Sequence, residues 1–434
     1  MVTGSGRARA GLGLAATTVT AFGLVAVVVW AVRAAGFVAV SDDDYCRITI
    51  AQRFAVDPHV DPSGTSWLPA PFWLLGGWLA LFGRSLASAV SAAPVLATLG
   101  LVPWLWAQRR PGRHPLLALV LVLAVDWVAW LAATPVPEVM AAALVTAPFL
   151  ADEDDARGPY ALALLVATLS RYEAWPLAVL WAALAVRQEG RRALLPASLA
   201  LAGPGAWVVW NHVTHGDGLH FLARVRRYAE SHGHPQSALE AIAVYPRALV
   251  GDGRALVAVL ALAAIALLVA PPRTMTSRAV RAGLAGVVLV GFLVLGALRS
   301  GAPTHHPVRA LMPLAFLAAP IAVEALSQCS RTFAGARGPL AVAVSLSVAI
   351  VAACGHRSTP PGSGAEDRTE AVRLGLAAAN AGVTELHLAC CQHEYFATMA
   401  AFGAPERVVL TEQAPGGPCP ELRESGYDSA REKP

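Results

Sequence analysis

The chain has 434 residues, 56% of them hydrophobic and only 14% charged, with a net charge of +4. Soluble domains carry about 25% charged residues, so this composition and a mean hydropathy of +0.53 exclude an ordinary soluble protein. Basic residues stand in short clusters between apolar runs, which excludes a nucleic-acid surface, and six cysteines without CxxC spacing exclude a zinc ribbon.

From the N-terminus, Arg7 and Arg9 precede an apolar segment reaching about Val32. It is longer than the core of a cleavable signal peptide, so an uncleaved first span is expected. That span leads into "SDDDYCR" (41–47), with three adjacent aspartates at its exit. "DPHVDPSGTSW" follows, holding Asp57, His59, Asp61, Ser66 and Trp67. The next run, "LPAPFWLLGGWLALFG" (68–83), is interrupted by proline and glycine and is marginal in apolar length. Further spans are expected near 86–107, 115–132, 137–150, 160–171, 174–187, 193–211, 254–270, 280–298, 308–325 and 338–354.

Charge asymmetry orients these spans. With the N-terminus inside and 68–83 lying in the outer leaflet, "RRPGRHP", "RQEGRR", "PPRTMTSR" and "SRTFAGAR" all face the cytoplasm. A full crossing by 68–83 would turn all four outward. The expected fold is therefore an all-α polytopic membrane protein of about eleven transmembrane helices, with a juxtamembrane helix in the first outer loop. Residues 355–434 are more polar, and their helix-like stretches alternate with "TELHLA" and "RVVL". They are expected to form a small extracytoplasmic α/β appendage to the 1–354 membrane domain. Cys390 or Cys391 pairs with Cys419 there if the compartment is oxidising, and free thiols are the alternative.

On the outer side this topology collects Asp42, Asp43, Asp44, Glu138, Arg171, Glu173, His305, His306 and Arg309. Carboxylates supply a general base, and arginines match phosphate oxygens through paired hydrogen bonds. Each has a plainer explanation. The aspartates serve as a solvated loop, and Glu138 favours a helix N-terminus after Pro137. Arg171 and Glu173 form an ion pair at the lipid edge, where ionisable residues are costly. His305 and His306 mark an exposed turn. Arg224, Arg226 and Arg227 read as a surface helix, and the tryptophans as interfacial belts. Asp42 and Asp44 could share a divalent cation through oxygen ligands, although no spacing here is diagnostic of a metal. Asp126, in "LAVDWVAW", is an acidic residue inside a span and keeps a transporter or lipid flippase as the alternative.

The order of these features, from the acidic run through "SWLPAPFWLLG", "TPVPEVMAAAL" and "SRYEAWP" to "HHPVRALMPL", resembles the GT-C membrane glycosyltransferases over roughly residues 1–325. That broad group contains the protein O-mannosyltransferases and lipid A aminoarabinose transferase. The resemblance implies an essential outer-loop carboxylate, at Asp42 or Asp43 and then Asp44, and a polyprenyl-phosphate sugar donor. It places Glu138, Arg171, Glu173 and Arg309 along the donor cavity, and the "WLP" segment in juxtamembrane helices beneath the site. The implied partners are that donor, a glycan, lipid or protein acceptor, and membrane lipids, with no nucleic acid. The implied location is the inner (plasma) membrane, with the site facing outward. Three aspartates stand where many members have an Asp-Glu pair, and the tail is shorter than the C-terminal domains of some relatives.

Overall fold

The structure is a computed structural model that describes residues 4–110, 112–231, 237–269, 276–299, 306–332, 368–389 and 395–411. The first helix, α1 (Gly4–Ala34), ends where Gly36 turns at φ +96° and Phe37 N–H bonds back to the Val32 carbonyl. Only a residue without a Cβ enters that backbone region at low cost. The acidic run does not continue as a loop. It opens an amphipathic helix, α2 (Asp42–Phe54), whose first turn holds all three aspartates, where negative charge complements the helix dipole.

The interrupted apolar run forms α3 (Ala70–Phe82), 13 residues between Pro69 and Gly83. At about 1.5 Å per residue it is too short to span an upright bilayer core. It packs against α2 at Gly76, where an added Cβ would stand 3.0 Å from the Ala51 carbonyl oxygen.

The remaining bundle comprises α4 (Leu86–Trp106), α5 (Pro115–Leu123), α6 (Asp126–Ala132), α7 (Glu138–Leu150), α8 (Arg157–Thr168), α9 (Ala174–Glu189), α10 (Leu194–His215), α11 (His220–Ser231), α12 (Ala238–Gly251), α13 (Arg254–Val269), α14 (Thr276–Leu298) and α15 (Met312–Thr332). Among the described residues, five helices are long and apolar enough to cross a membrane, or up to seven if each bent pair is one span. That is fewer than the expected eleven or so, for identifiable reasons. The pairs α5–α6 and α12–α13 bend by 93° and 91°. One of the five is the 42-residue stretch Ala174–His215, which a 3-10 turn at Gly190–Ala193 divides into α9 and α10, packed on each other. With 13 and 12 residues, α7 and α8 are too short to count. The expected span at 338–354 lies outside the described residues.

Polar bridges sort the loops into two ends. At one end, the residues opening α7, preceding α9 and preceding α15 meet through Glu138, Arg171 and Arg309. At the other, Arg113 before α5 holds Asp152 after α7, Arg157 of α8 holds Glu189 of α9, and Arg278 of α14 holds Glu324 of α15. Two of the four basic clusters, "RRPGRHP" and "RQEGRR", and Arg278 of the third stand at this second end, away from the aspartates. The side chains of the fourth lie outside the described residues.

The core centres on α7, every residue of which is buried, against α4, α8, α14 and α15. Gly100 brings α4 against it: an added Cβ would meet Met140 Cα at 2.6 Å and its carbonyl oxygen at 2.7 Å. The tail contributes α16 (Thr369–Asn380), β1 (Leu386–Ala389), α17 (Tyr395–Phe402) and β2 (Val408–Thr411), with β1 and β2 paired in parallel from Leu386↔Val408 to Ala389↔Thr411. Ala397 and Ala400 of α17 share an apolar cluster with Tyr45, Ile48 and Ala51 of α2, so the tail packs directly on the helix of the aspartates.

Candidate functional site

The three aspartates, alike in sequence, have different surroundings. Asp42 receives a two-pronged ion pair from Arg368 at 2.9 and 2.7 Å. Asp44 is 2% exposed and accepts the Val40 N–H at 2.6 Å. Burial pushes its carboxyl up to about 6, while the Arg309 guanidinium and the Val40 N–H oppose the rise. Asp43 is partly exposed and makes no hydrogen bond or ion pair among the described residues. Its charge acts on Arg47 and Arg309.

Beside this turn, four of the residues singled out from sequence converge. Glu138 accepts from Arg171 at 2.8 Å and from Arg309 at 2.5 Å, and Arg171 reaches Glu173 at 2.5 Å. Glu138 and Arg309 are 3% and 7% exposed. Breaking such a pair from one side leaves a buried charge uncompensated. Local sequence explains the placement: Pro137 starts α7 with Glu138 in its first turn, and a 3-10 turn at Pro307–Leu311 carries Arg309 inward. These residues line a cleft floored by Ala141, Ala142 and Val145 of α7, with Pro313 opposite. An apolar wall thus runs directly from the charged cluster.

Sequence reasoning overlooked Arg47. It is 7% exposed, and its guanidinium lies 4.2 Å from the Trp67 ring centroid and 5.8 Å from that of Phe72. Its Nε, like Arg309 Nε and Glu138 Oε2, has no hydrogen-bond partner among the described residues. The available signal was the four-residue spacing from Asp43 to Arg47, which puts both on one face once 42–54 is read as a helix. The cluster therefore holds Arg47, Arg171 and Arg309 against Glu138 and Glu173, with spare Nε donors on Arg47 and Arg309 beside a cleft. This chemistry suits an oxyanion.

The other expectations fall elsewhere. His306, at φ +50°, packs its ring 5.0 Å from that of Trp127 at a tilt of 49°, and His305 lies outside the described residues. Arg224 of α11 bonds the Gly64 carbonyl, tying that helix to the loop above α3. Asp126 opens α6 at the bend and accepts the Trp127 N–H at 2.8 Å, and a carboxylate in the first turn complements the helix dipole. Asp42 and Asp44 engage separate partners. Among the described residues, the metal-type grouping of three acidic ligands occurs instead at Asp152, Asp154 and Asp155, at the opposite end.

No family model and no curated protein matches the chain. Two solved structures do. ArnT from Cupriavidus metallidurans bound to undecaprenyl phosphate superposes with a TM-score of 0.58 at 15% identity, covering 90% of each chain. The apo state of ArnT from the same organism gives 0.53 at 17% identity, covering 91% of this chain and 89% of the other. At these identities the likeness is one of fold. The class so defined is a multi-helix membrane protein with a small two-stranded C-terminal sheet. More particularly, the architecture resembles that of ArnT, a GT-C fold.

Proposed function

We propose that the chain is an integral membrane glycosyltransferase that moves a sugar from a polyprenyl-phosphate-linked donor to an acceptor at the extracytoplasmic face. One observation carries this reading: three arginines, two of them buried with an unused Nε donor (Arg47 and Arg309), surround Glu138 at the head of an apolar cleft, beside a helix turn of carboxylates. The ArnT structure that holds undecaprenyl phosphate shares the fold, which supports a lipid phosphate in the cleft. The gathering of basic loops at the opposite end supports an outward-facing site.

Asp43 is the base. Asp42 is committed to Arg368 and Asp44 to the Val40 N–H, whereas Asp43 is accessible and faces the arginines. Its carboxylate takes the proton of an acceptor hydroxyl as that oxygen bonds to the anomeric carbon. The bond from that carbon to the donor phosphate breaks with inversion, and the departing lipid phosphate carries the electron pair. Arg47, Arg171 and Arg309 stabilise the charge that grows on it.

Asp43→Asn, assayed with purified protein and a lipid-linked sugar, abolishes transfer while expression and donor binding persist. Asp43→Asn turning over at the wild-type rate contradicts the assignment, and loss in Asp42→Asn alone transfers the role to Asp42.

A further inference from the structure

We infer that the end of the bundle opposite the aspartates holds a second site, in which Arg278 and Arg281 of α14 bind a phosphate group. This inference is independent of the transferase reading. A cavity of about 430 Å³ opens there between the α4–α5 loop, the α7–α8 loop and the facing ends of α14 and α15.

Its acidic residues are largely engaged. Asp152 accepts from Arg113 at 2.5 and 2.9 Å, and Asp154 accepts from Arg110 at 2.6 Å. Asp155, beside them, is held by Arg109 and Tyr160. With arginines already seated on these carboxylates, a cation has no free ligand set despite their proximity.

The arginines of α14 are different. Arg278 is 5% exposed and gives one Nη to Glu324, yet its Nε and other Nη have no partner among the described residues. Arg281, one turn further on, gives an Nη to the Ala151 carbonyl at 2.6 Å, and its Nε is likewise unpartnered. Three unpartnered guanidinium nitrogens thus belong to two arginines on one helix face, and both residues line a cavity that admits a tetrahedral oxyanion. Unmet buried donors are costly, and a guanidinium fork matches phosphate oxygens through paired bonds. Arg110, Arg113, Arg278 and Arg281 balance Asp152, Glu153, Asp154 and Glu324 in formal charge. Selection therefore rests on hydrogen-bond geometry rather than on a positive field. The phosphate belongs either to an anionic phospholipid headgroup at the bilayer edge or to a soluble phosphate compound.

The test is thermal unfolding of the full chain in phosphatidylcholine nanodiscs, titrated with inorganic phosphate, and in parallel nanodiscs containing phosphatidylglycerol. Wild-type protein gains melting temperature in at least one arm, and Arg281→Gln requires about tenfold more ligand for the same gain, the weight of one charge-assisted hydrogen bond. Arg278→Lys, which keeps the charge but loses the fork, weakens it in the same direction. A gain only with phosphatidylglycerol identifies a lipid headgroup, and a gain with inorganic phosphate a soluble ligand. No gain in either arm, or equal gains in wild type and both variants, overturns the site.

Discussion

Asp42, Asp43 and Asp44 are chemically identical, and the fold gives them three fates: an ion pair with the tail, an accessible position beside arginines, and burial against the backbone. The buried one has a measurable signature. Its carboxyl titrates near 6 in the folded chain against 3.8 when free, so between those values the folded state binds the extra proton. Stability contributed by this group therefore falls as pH rises from about 4 to about 6, by about 3 kcal/mol at most. Asp44→Asn retains an acceptor for the Val40 N–H and removes the titration. The melting temperature of wild type is expected to fall relative to that of Asp44→Asn across that range, and parallel curves contradict the burial argument. Glu138 makes the opposite case, a buried carboxylate held by two guanidinium groups. Glu138→Gln leaves both under-compensated and is expected to cost about 3–5 kcal/mol. A melting temperature unchanged by that substitution would show the pair to be dispensable for stability.

Helix α2 is the element on which the site depends, and it is held from both sides. Below it, α3 closes in at Gly76; beyond it, α17 shares its apolar cluster, and fully buried Gln52 gives Nε2 to the carbonyls of Arg84 and Ala400 at 2.7 and 2.8 Å. If Asp42 serves only as the anchor for Arg368, then Asp42→Asn, Arg368→Ala and the double variant should reduce transfer equally, since each breaks the same contact. Additive losses give Asp42 a further task. Gly100→Ala tests the neighbouring contact: it forces α4 from α7 two residues past the glutamate, with an expected cost of about 1–3 kcal/mol and slower transfer. Full stability and turnover would place the close approach outside the site's requirements. Hydropathy and charge made the bundle, the short length of the helix within 68–83 and the order of the tail's elements legible. Glu138, Arg171, Glu173 and Arg309 stood out because ionisable residues are costly in apolar stretches. Arg47 did not, because aspartates at a span exit read as a loop until the chain is seen to fold into a helix. The different fates of the aspartates were also illegible, since Arg368 lies 326 residues from Asp42 and only tertiary packing brings it there.

At the scale of the molecule, the bundle separates two kinds of charge: the acidic turn of α2 with its arginine–glutamate cluster at one end, and the basic loops with their carboxylate partners at the other. This polarity predicts orientation. In a variant whose native cysteines are replaced, Val60→Cys, 47% exposed in the loop after α2, should react with an impermeant thiol reagent applied outside intact cells. Arg191→Cys, in the turn between α9 and α10, should react only after the membrane is opened; the reverse pattern would turn the proposed site towards the cytoplasm. It also explains why short helices suffice around α7. A wholly buried helix needs packing partners rather than the full thickness of a bilayer, and its glutamate sits where the apolar cleft meets the charged cluster. On the proposed function, this cluster takes a lipid phosphate bearing a sugar and Asp43 drives its transfer. The most direct test of that function is mass spectrometry of membrane lipids from cells lacking the protein, complemented with either wild type or Asp43→Asn. A polyprenyl-phosphate sugar should accumulate in the deletion and with Asp43→Asn, and return to its basal level with wild type. Identical lipid-linked sugar pools in all three strains would contradict the claim.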